Sequence, residues 1–394
     1  MTSISNPPAI SDARAGGATS LARLALPVLI VAGVLTIAIA GNLTRYHGNL
    51  TGFVQFGSRF AAATRPPAGA IVGSPRGYDG QFFYLQARDP LLLHESTIAA
   101  IRGTGQGFRL QRVGYPAVAY LLAGGNDDAI PFALLAVNVI VLLALTIGLA
   151  CYLRRRGRSP NWATAVALAP GMLLPAMRDL CDPLAIAATL TGLLLWRSGR
   201  RWPAALALIV AVLTREVMVI AVVAVALHAA VVAFRGHSWR ATAARVWPVV
   251  VLPLAVFAAW QSYLAVRYGG PLGDAALQPL SNLVAEVRGD LRSGLPFETG
   301  FDFVYIGLML AAVIVAVLTV RRELTVLNAA ALALTLCILV PTMGDVWSDT
   351  RLSAPVFALL LLDGLERRDR RAITIGTAAA AMSLLVPFAI PGAF

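Results

Sequence analysis

Apolar runs long enough to cross a membrane recur along this chain of 394 residues, and short arginine-rich segments separate them. The first run, 24–41, follows Arg23 and precedes a long, more polar stretch that ends near residue 130. About 20 consecutive apolar residues span the hydrocarbon core as an α-helix. The pattern predicts an all-α polytopic membrane protein, with a disordered cytoplasmic tail at 1–20 and a single transmembrane domain at 21–394.

The arginine clusters determine the predicted number of crossings. If every cluster is cytoplasmic, an even number of spans must separate each cluster from the next. The clusters lie at 154–158, 197–201, 235–245, 321–322 and 367–371. This count predicts eleven spans, a long outer loop at 42–130 and an interfacial helix at 113–123 that does not cross. The predicted spans are 24–41, 131–153, 162–177, 183–196, two within 202–234, 248–266, 303–320, 325–341, 352–365 and 372–390.

The composition agrees with a membrane protein, because 58% of the residues are hydrophobic and only 13% are charged. A net charge of +12 would suggest nucleic acid as the partner of a soluble domain. Here the arginines flank apolar runs, so we expect them to orient the chain in the bilayer and expect no nucleic acid. The cysteines form no CxxC pair, which gives no support to a zinc site.

Charged residues at membrane depth are costly and usually face a polar cavity or one another. Arg215 and Glu216 interrupt the apolar stretch 202–234, and we expect them either to pin hairpin tips together by ion pairing or to contact a ligand. Asp182 directly precedes Pro183, so helix capping is the alternative to substrate binding. The same alternative applies to Asp179, and a divalent ion at these two aspartates is possible but not indicated.

Asp79 is the best candidate for a catalytic residue. It lies in the sequence Arg-Gly-Tyr-Asp-Gly-Gln-Phe-Phe-Tyr at 76–84, in the predicted outer loop. A simple Asp-Gly turn is the alternative. We expect the aromatic run 82–84 to dock into the membrane interface. A carboxylate at this surface can take a proton from an acceptor hydroxyl while nearby arginines neutralise a departing phosphate.

Four motifs together resemble a known class of enzymes. They lie at 77–84 with Asp89 and Pro90, at 109–116, at 182–184 and at 213–216. These motifs, with a Trp and an Arg near the outer end of a late helix, are similar to the C-type (GT-C) membrane glycosyltransferases. More narrowly, they resemble a poorly characterised group of bacterial proteins associated with cell-surface glycopolymer formation. The resemblance covers about residues 70–220 by motif and the remainder by hydropathy.

The resemblance implies an inverting glycosyltransferase in the bacterial inner (plasma) membrane, with its active site facing the periplasm or cell exterior. The implied donor is a polyprenyl-phosphate sugar, and the acceptor is a cell-envelope glycan or glycolipid. The outer-loop aspartate of the family corresponds to Asp79, as the general base. The expected substrate-binding residues are Tyr78, Gln81, Tyr84, Arg109, Arg112, Asp179, Asp182, Arg215, Glu216 and Arg351.

This chain departs from the metal-dependent members, since its first outer loop contains no Asp-x-Asp, and we expect no cofactor. Two other classes of protein compete with the enzyme. A transporter or flippase of lipid-linked sugars would also combine many spans with buried charge, although such proteins often show internal repeats. A non-catalytic scaffold of a glycopolymer pathway is the third alternative. Neither requires Asp79 to share a site with Arg215 and Arg351.

Overall fold

The computed structural model describes residues 11–235, 238–269, 296–339 and 346–389. This part of the chain is mainly helical. The helices are α1 (Ser11–Arg45), α2 (Thr51–Val54), α3 (Ala61–Thr64), α4 (Gly80–Arg88), α5 (Glu95–Thr104), α6 (Gly114–Ala123), α7 (Ile130–Arg155), α8 (Trp162–Ala167), α9 (Pro170–Ala176), α10 (Asp182–Arg197), α11 (Arg201–Thr214), α12 (Val219–Phe234), α13 (Trp239–Tyr268), α14 (Pro296–Arg322), α15 (Val326–Leu339), α16 (Val346–Arg367) and α17 (Arg370–Ala389). Two short strands, β1 (Phe56–Gly57) and β2 (Val72–Gly73), pair in parallel.

Several of these helices have the length and composition of membrane spans. Within the described residues, four are long and apolar enough to cross a bilayer: Arg23–Arg45, Asp127–Arg155, Glu216–Phe234 and Trp239–Tyr268. Shorter apolar helices lie at Gly114–Ala123, Arg201–Thr214 and Val326–Leu336. The protein is therefore an all-helical membrane protein, as the hydropathy pattern predicts. Most of the segment 267–302 between two of the predicted spans, and residues 340–345, lie outside the described residues.

Two predicted elements differ from the structure. The stretch 162–177, predicted as one span, forms two short helices, α8 and α9. They separate at Ala169, whose ψ of 145° is extended. A residue that precedes proline is disfavoured in the helical region, and Pro170 follows Ala169. The predicted disordered tail, 1–20, also overlaps the structure, because α1 begins at Ser11 while residues 1–10 lie outside the described part.

The predicted outer loop folds into a small helical layer with its own apolar cores. The aromatic run expected to dock into the membrane interface is instead inside this layer, because Phe82, Phe83 and Tyr84 are all buried. Helix α6 covers the stretch predicted to be interfacial. It buries Tyr115 while leaving 75% of Leu121 exposed, so it presents one apolar face outward.

The C-terminal end of α13 supports this layer through side chains that contact the backbone of the layer. The Trp260 indole Nε1 donates a hydrogen bond to the Leu110 carbonyl at 3.3 Å. Arg267 donates from Nη2 and Nε to the Leu92 carbonyl at 2.6 and 3.1 Å. The Trp260 bond holds the 3₁₀ turn Gly107–Gln111, which carries Arg109, and the Arg267 bonds hold the segment before α5.

Candidate active site

The backbone before α4 is packed so tightly that two positions require glycine. Gly77 has a positive φ of 59°, and a Cβ there would lie 2.4 Å from the Gly57 nitrogen. A Cβ at Gly80 would lie 2.7 Å from the Val54 carbonyl oxygen and 2.8 Å from that of Arg178. Left-handed backbone and close approach are the two situations that favour glycine. This packing fixes the position of Asp79 between them.

Gln81 holds the same segment from inside. Its side chain is fully buried, and its Oε1 accepts a hydrogen bond from the Gly57 nitrogen at 3.1 Å. Its Nε2 donates to the carbonyls of Arg76 and Tyr78, at 2.8 and 3.0 Å. All three bonds go to backbone groups. Gln81, which the resemblance implies is a substrate contact, therefore has its amide committed to shaping the loop.

Asp79 immediately precedes α4, but its carboxylate does not cap that helix. Its Oδ1 accepts hydrogen bonds from Nε and Nη2 of Arg109, at 3.1 and 2.5 Å. Its Oδ2 lies 3.7 Å from Nη2 of Arg351. Burial alone would raise the pKa of Asp79, but the charges of Arg109, Arg351 and Arg112 lower it to about 2. The carboxylate is therefore ionised at neutral pH, while 17% of its side chain stays exposed.

Asp182 joins two arginines beneath Asp79. Its Oδ2 accepts hydrogen bonds from Nε and Nη2 of Arg351, at 3.1 and 2.9 Å, and its Oδ1 pairs with Arg215. Asp182 is the first residue of α10, whose N-cap position is occupied by Cys181. The capping alternative is thus wrong for Asp182, because two guanidinium groups already bind the carboxylate. Arg351 also donates to the Tyr78 hydroxyl, at 3.2 Å.

Arg215 and Glu216 ion-pair with residues of other elements and not with each other. The Glu216 carboxylate accepts hydrogen bonds from Nε and Nη2 of Arg112, at 2.9 and 2.7 Å. Arg215 pairs with Asp182 across the tips of two helical hairpins. The chain leaves helical geometry at Arg215, whose φ and ψ are −151° and 121°, which ends α11. This break lets the two neighbouring side chains reach different partners.

These residues form one arginine–carboxylate cluster. Four guanidinium groups meet three carboxylates, so the formal charge of the cluster is +1. Its members are Asp79, Arg109, Arg112, Asp182, Arg215, Glu216 and Arg351. Arg178 lies 4.8 Å from the centre of the Tyr78 ring, next to the cluster. A desolvated cluster with excess positive charge favours an anionic ligand.

Sequence reasoning missed the aromatic support of Arg109. Its guanidinium lies 4.5 Å from the centre of the Phe108 ring and 4.9 Å from that of Phe82. Such cation–π contacts orient the guanidinium plane. The adjacent Phe108 and Arg109 were the only local signal for this arrangement, since Phe82 lies far along the sequence.

Two of the residues that the resemblance implies for the substrate lie away from the cluster contacts. Tyr84 is buried in the core of the small helical layer, with its ring 5.1 Å from that of Phe56. Asp179 is fully buried at a φ of 50°, and neither of its carboxylate oxygens has a hydrogen-bond partner within the described residues. Burial raises the pKa of Asp179 well above its usual range, which favours the neutral acid.

In the described ranges, no group of three or more His, Cys, Asp or Glu side chains is arranged to hold a metal ion. No protein-family model, curated protein or solved structure matches this chain. The geometry of the cluster is therefore the basis for assigning a function.

Proposed function

We propose that this protein is an inverting glycosyltransferase of the GT-C type. It would take a sugar from a polyprenyl-phosphate donor and attach it to a glycan or glycolipid acceptor at the outer face of the bacterial plasma membrane. The proposal includes the eleven-span topology that the arginine clusters predict. The observation that carries it is the contact of a partly exposed carboxylate, Asp79, with Arg109 and Arg351 in a cluster of net positive charge.

The cluster provides the two groups that this reaction needs. Asp79 accepts the proton of the acceptor hydroxyl as that oxygen attacks the anomeric carbon. The bond between the anomeric carbon and the phosphate oxygen breaks, and the electron pair leaves with the polyprenyl phosphate. Arg109 and Arg351 neutralise the charge that develops on this leaving group. One displacement of this kind inverts the configuration at the anomeric carbon.

A second carboxylic acid is not required on the leaving side. Glycosidases protonate a poor leaving group with such an acid. A phosphate monoester leaves as a stable anion when cations receive it. Arg215 and Arg351 lie deepest in the cluster, being 6% and 7% exposed, whereas Arg109 is more accessible. We assign Arg109 and Arg351 to the donor phosphate because both lie next to Asp79, with the more accessible Arg109 making the first contact. Arg215 pairs with Asp182 and is assigned to positioning that carboxylate.

The ion pairs of Asp79 give donor binding a direct effect on the base. A carboxylate with a pKa of about 2 is a weak proton acceptor. A donor phosphate competes with Asp79 for the same two guanidinium groups. When Arg109 and Arg351 turn toward phosphate, their attraction for the carboxylate weakens and its pKa rises. The base is thus activated only when the donor is bound, which limits unproductive chemistry.

The test is sugar transfer by purified protein in nanodiscs, with a panel of radiolabelled polyprenyl-phosphate sugars and a membrane lipid extract as acceptor. We expect transfer by the unchanged protein and a loss of about 10²- to 10⁴-fold in Asp79→Asn. Donor binding, measured separately by filtration, should persist in that variant. Asp128→Asn is the matched control, because it removes an exposed carboxylate from the same layer.

The outcomes separate the alternatives. Equal transfer by Asp79→Asn and the unchanged protein would remove Asp79 as the base while keeping the enzyme. Donor binding without transfer for any sugar, together with donor movement across vesicle membranes, would identify a transporter or flippase of lipid-linked sugars. A protein that neither binds nor transfers any member of the panel would contradict the proposed activity and favour a scaffold.

A further inference from the structure

A groove runs along the membrane region at the side of the bundle formed by α7, α10 and α11. Its volume is about 750 Å³, and its lining is mainly apolar. Helix α10 packs against both α7 and α11, so it forms the floor between them. The groove exists because small side chains recur at helical spacing, with Ala144 and Gly148 on α7 and Ala187 and Thr191 on α10.

The groove has one basic end. Arg155, at the end of α7, and Arg200, just before α11, both line it and are exposed. Neighbouring polar groups are already committed, because Arg197, Tyr152 and the Arg158 side chain all bind Glu366. In the part of the chain that the structure describes, neither Arg155 nor Arg200 makes an ion pair.

The dimensions fit one lipid in one leaflet. The lining residues Val141 and Arg155 are separated by 14 positions of α7, or about 21 Å at 1.5 Å per residue. This length equals roughly half of a bilayer that measures about 40–45 Å with its headgroups. The basic end is opposite the start of α10, where Asp182 lies. The positive-inside rule assigns this end to the cytoplasmic leaflet.

We propose that this groove binds an anionic phospholipid of the cytoplasmic leaflet. Its phosphate lies between Arg155 and Arg200, and one acyl chain lies along Gly148 toward the bilayer centre. Basic pockets between membrane helices on the cytoplasmic side are suited to anionic headgroups. This site is separate from the arginine–carboxylate cluster and goes beyond the proposed transfer reaction. It needs no donor sugar, so its test requires no enzymatic activity.

The experiment is native mass spectrometry of the full-length protein released from nanodiscs that contain equal amounts of phosphatidylglycerol and phosphatidylcholine. We expect phosphatidylglycerol to be retained preferentially. The double variant Arg155→Gln/Arg200→Gln should reduce that preference about 30-fold, from the contribution of each arginine near an anionic lipid. Arg154→Gln/Arg156→Gln is the matched control, because it removes equal charge from the two neighbours of Arg155, which do not line the groove.

A second variant tests the acyl-chain part of the site. A Cβ at Gly148 would meet no atom within 4 Å, so Gly148→Phe can fill the groove without clashing with the backbone. We expect it to abolish retention of the lipid, whereas Ile147→Phe, on the exposed neighbouring face, should not. Normal gel-filtration profiles confirm that the variants are folded.

Three results would overturn the proposal. Equal retention of phosphatidylcholine and phosphatidylglycerol would exclude a headgroup site. If the Arg154/Arg156 control lowered the preference for phosphatidylglycerol equally, the preference would come from general surface charge and not from this groove. Retention of added polyprenyl phosphate that depends on Gly148 and Arg351, but not on Arg155 or Arg200, would show that the groove holds a chain whose phosphate lies at the opposite end.

Discussion

Arg351 donates two hydrogen bonds to one carboxylate oxygen of Asp182, from a position 169 residues away in the chain. Both residues are buried, and the same carboxylate pairs with Arg215 on its other oxygen. Asp182 therefore balances two cations at the base of the cluster, and Arg351 is left in reach of Asp79. The ion pair that holds Arg351 against the start of α10 therefore also sets the position of Arg351 beside the proposed base, Asp79.

We expect Asp182→Asn to destabilise the protein strongly. The change leaves Arg215 and Arg351 without the carboxylate that balances them, and loss of one partner from a buried ion pair costs about 3–5 kcal/mol. Thermal unfolding in detergent measures the effect. Arg351→Gln should reduce the free energy of unfolding less in the Asp182→Asn variant than in the unchanged protein, because the Arg351–Asp182 pair is already lost there. Additive effects of the two changes would contradict the assigned coupling.

Arg109→Gln should raise the pKa of Asp79. Burial raises this pKa and the neighbouring arginines lower it, and the variant removes one of those arginines. The acid limb of the pH profile of kcat/KM should move to higher pH by about 1 unit or more. Carbon-13 NMR of labelled aspartate gives the same pKa without an activity assay. An acid limb at the same pH in Arg109→Gln and in the unchanged protein would show that Asp79 is not the base.

The sign of the linked stability follows from the same pKa. A carboxylate whose pKa is lowered by folding contributes stability above its unfolded value of about 3.9. That contribution is lost as the pH falls toward about 2. Unfolding measured between pH 5 and pH 2.5 should therefore show a smaller loss of stability in Arg109→Gln than in the unchanged protein. Arg109→Lys, which keeps the charge, should retain most of the pH dependence.

Gly80→Ala tests whether close packing holds Asp79 in place. The added methyl group would lie within 3 Å of the carbonyl oxygens of Val54 and Arg178. Both are backbone atoms, which cannot move aside as the end of a flexible side chain can. We expect a destabilisation of about 1–3 kcal/mol and reduced transfer. Gly103→Ala, in helix α5, is the control, because a Cβ there meets open space. It should be neutral or stabilise by up to about 1 kcal/mol.

Glu216→Gln tests the charge of the cluster. It changes the formal charge from +1 to +2 while leaving an amide oxygen that can accept a bond from Arg112. We expect the KM for the anionic donor to fall about 2- to 10-fold, with an effect that weakens as salt is added. Glu95→Gln removes a carboxylate that is 71% exposed and should leave KM unchanged. An unchanged KM in Glu216→Gln would argue against donor phosphate binding in the cluster.

The local pattern of apolar runs and arginines predicts the positions of several long helices. Run lengths and arginine positions predict the bounds of α7 and α10 to within a few residues, and Arg215 correctly marks the end of α11. The interruption at Ala169 had a local signal as well, the following Pro170, but hydropathy averaged over a window obscured it. The eleven-span count depends on orientation, and it stays a prediction.

The residue types of the site were also evident from sequence, but their partners were not. Asp79, Arg109, Arg112, Asp182, Arg215, Glu216 and Arg351 were all candidates, and all seven meet in one cluster. Sequence gave no means to separate Gln81, Tyr84 and Asp179 from them. Whether a polar residue faces a ligand, a backbone carbonyl or a core depends on what surrounds it after folding.

The sequence by itself determined which stretches are apolar enough to cross a membrane and which polar residues interrupt them, because hydropathy is a local property of each run. Only the tertiary structure decided the pairings. Arg109 reaches Asp79 across 30 positions, Arg112 reaches Glu216 across 104, and Arg351 reaches Asp182 across 169. Ion pairs form over a few ångströms, and the meeting of helix ends that brings these charges so close is set by the packing of the whole bundle.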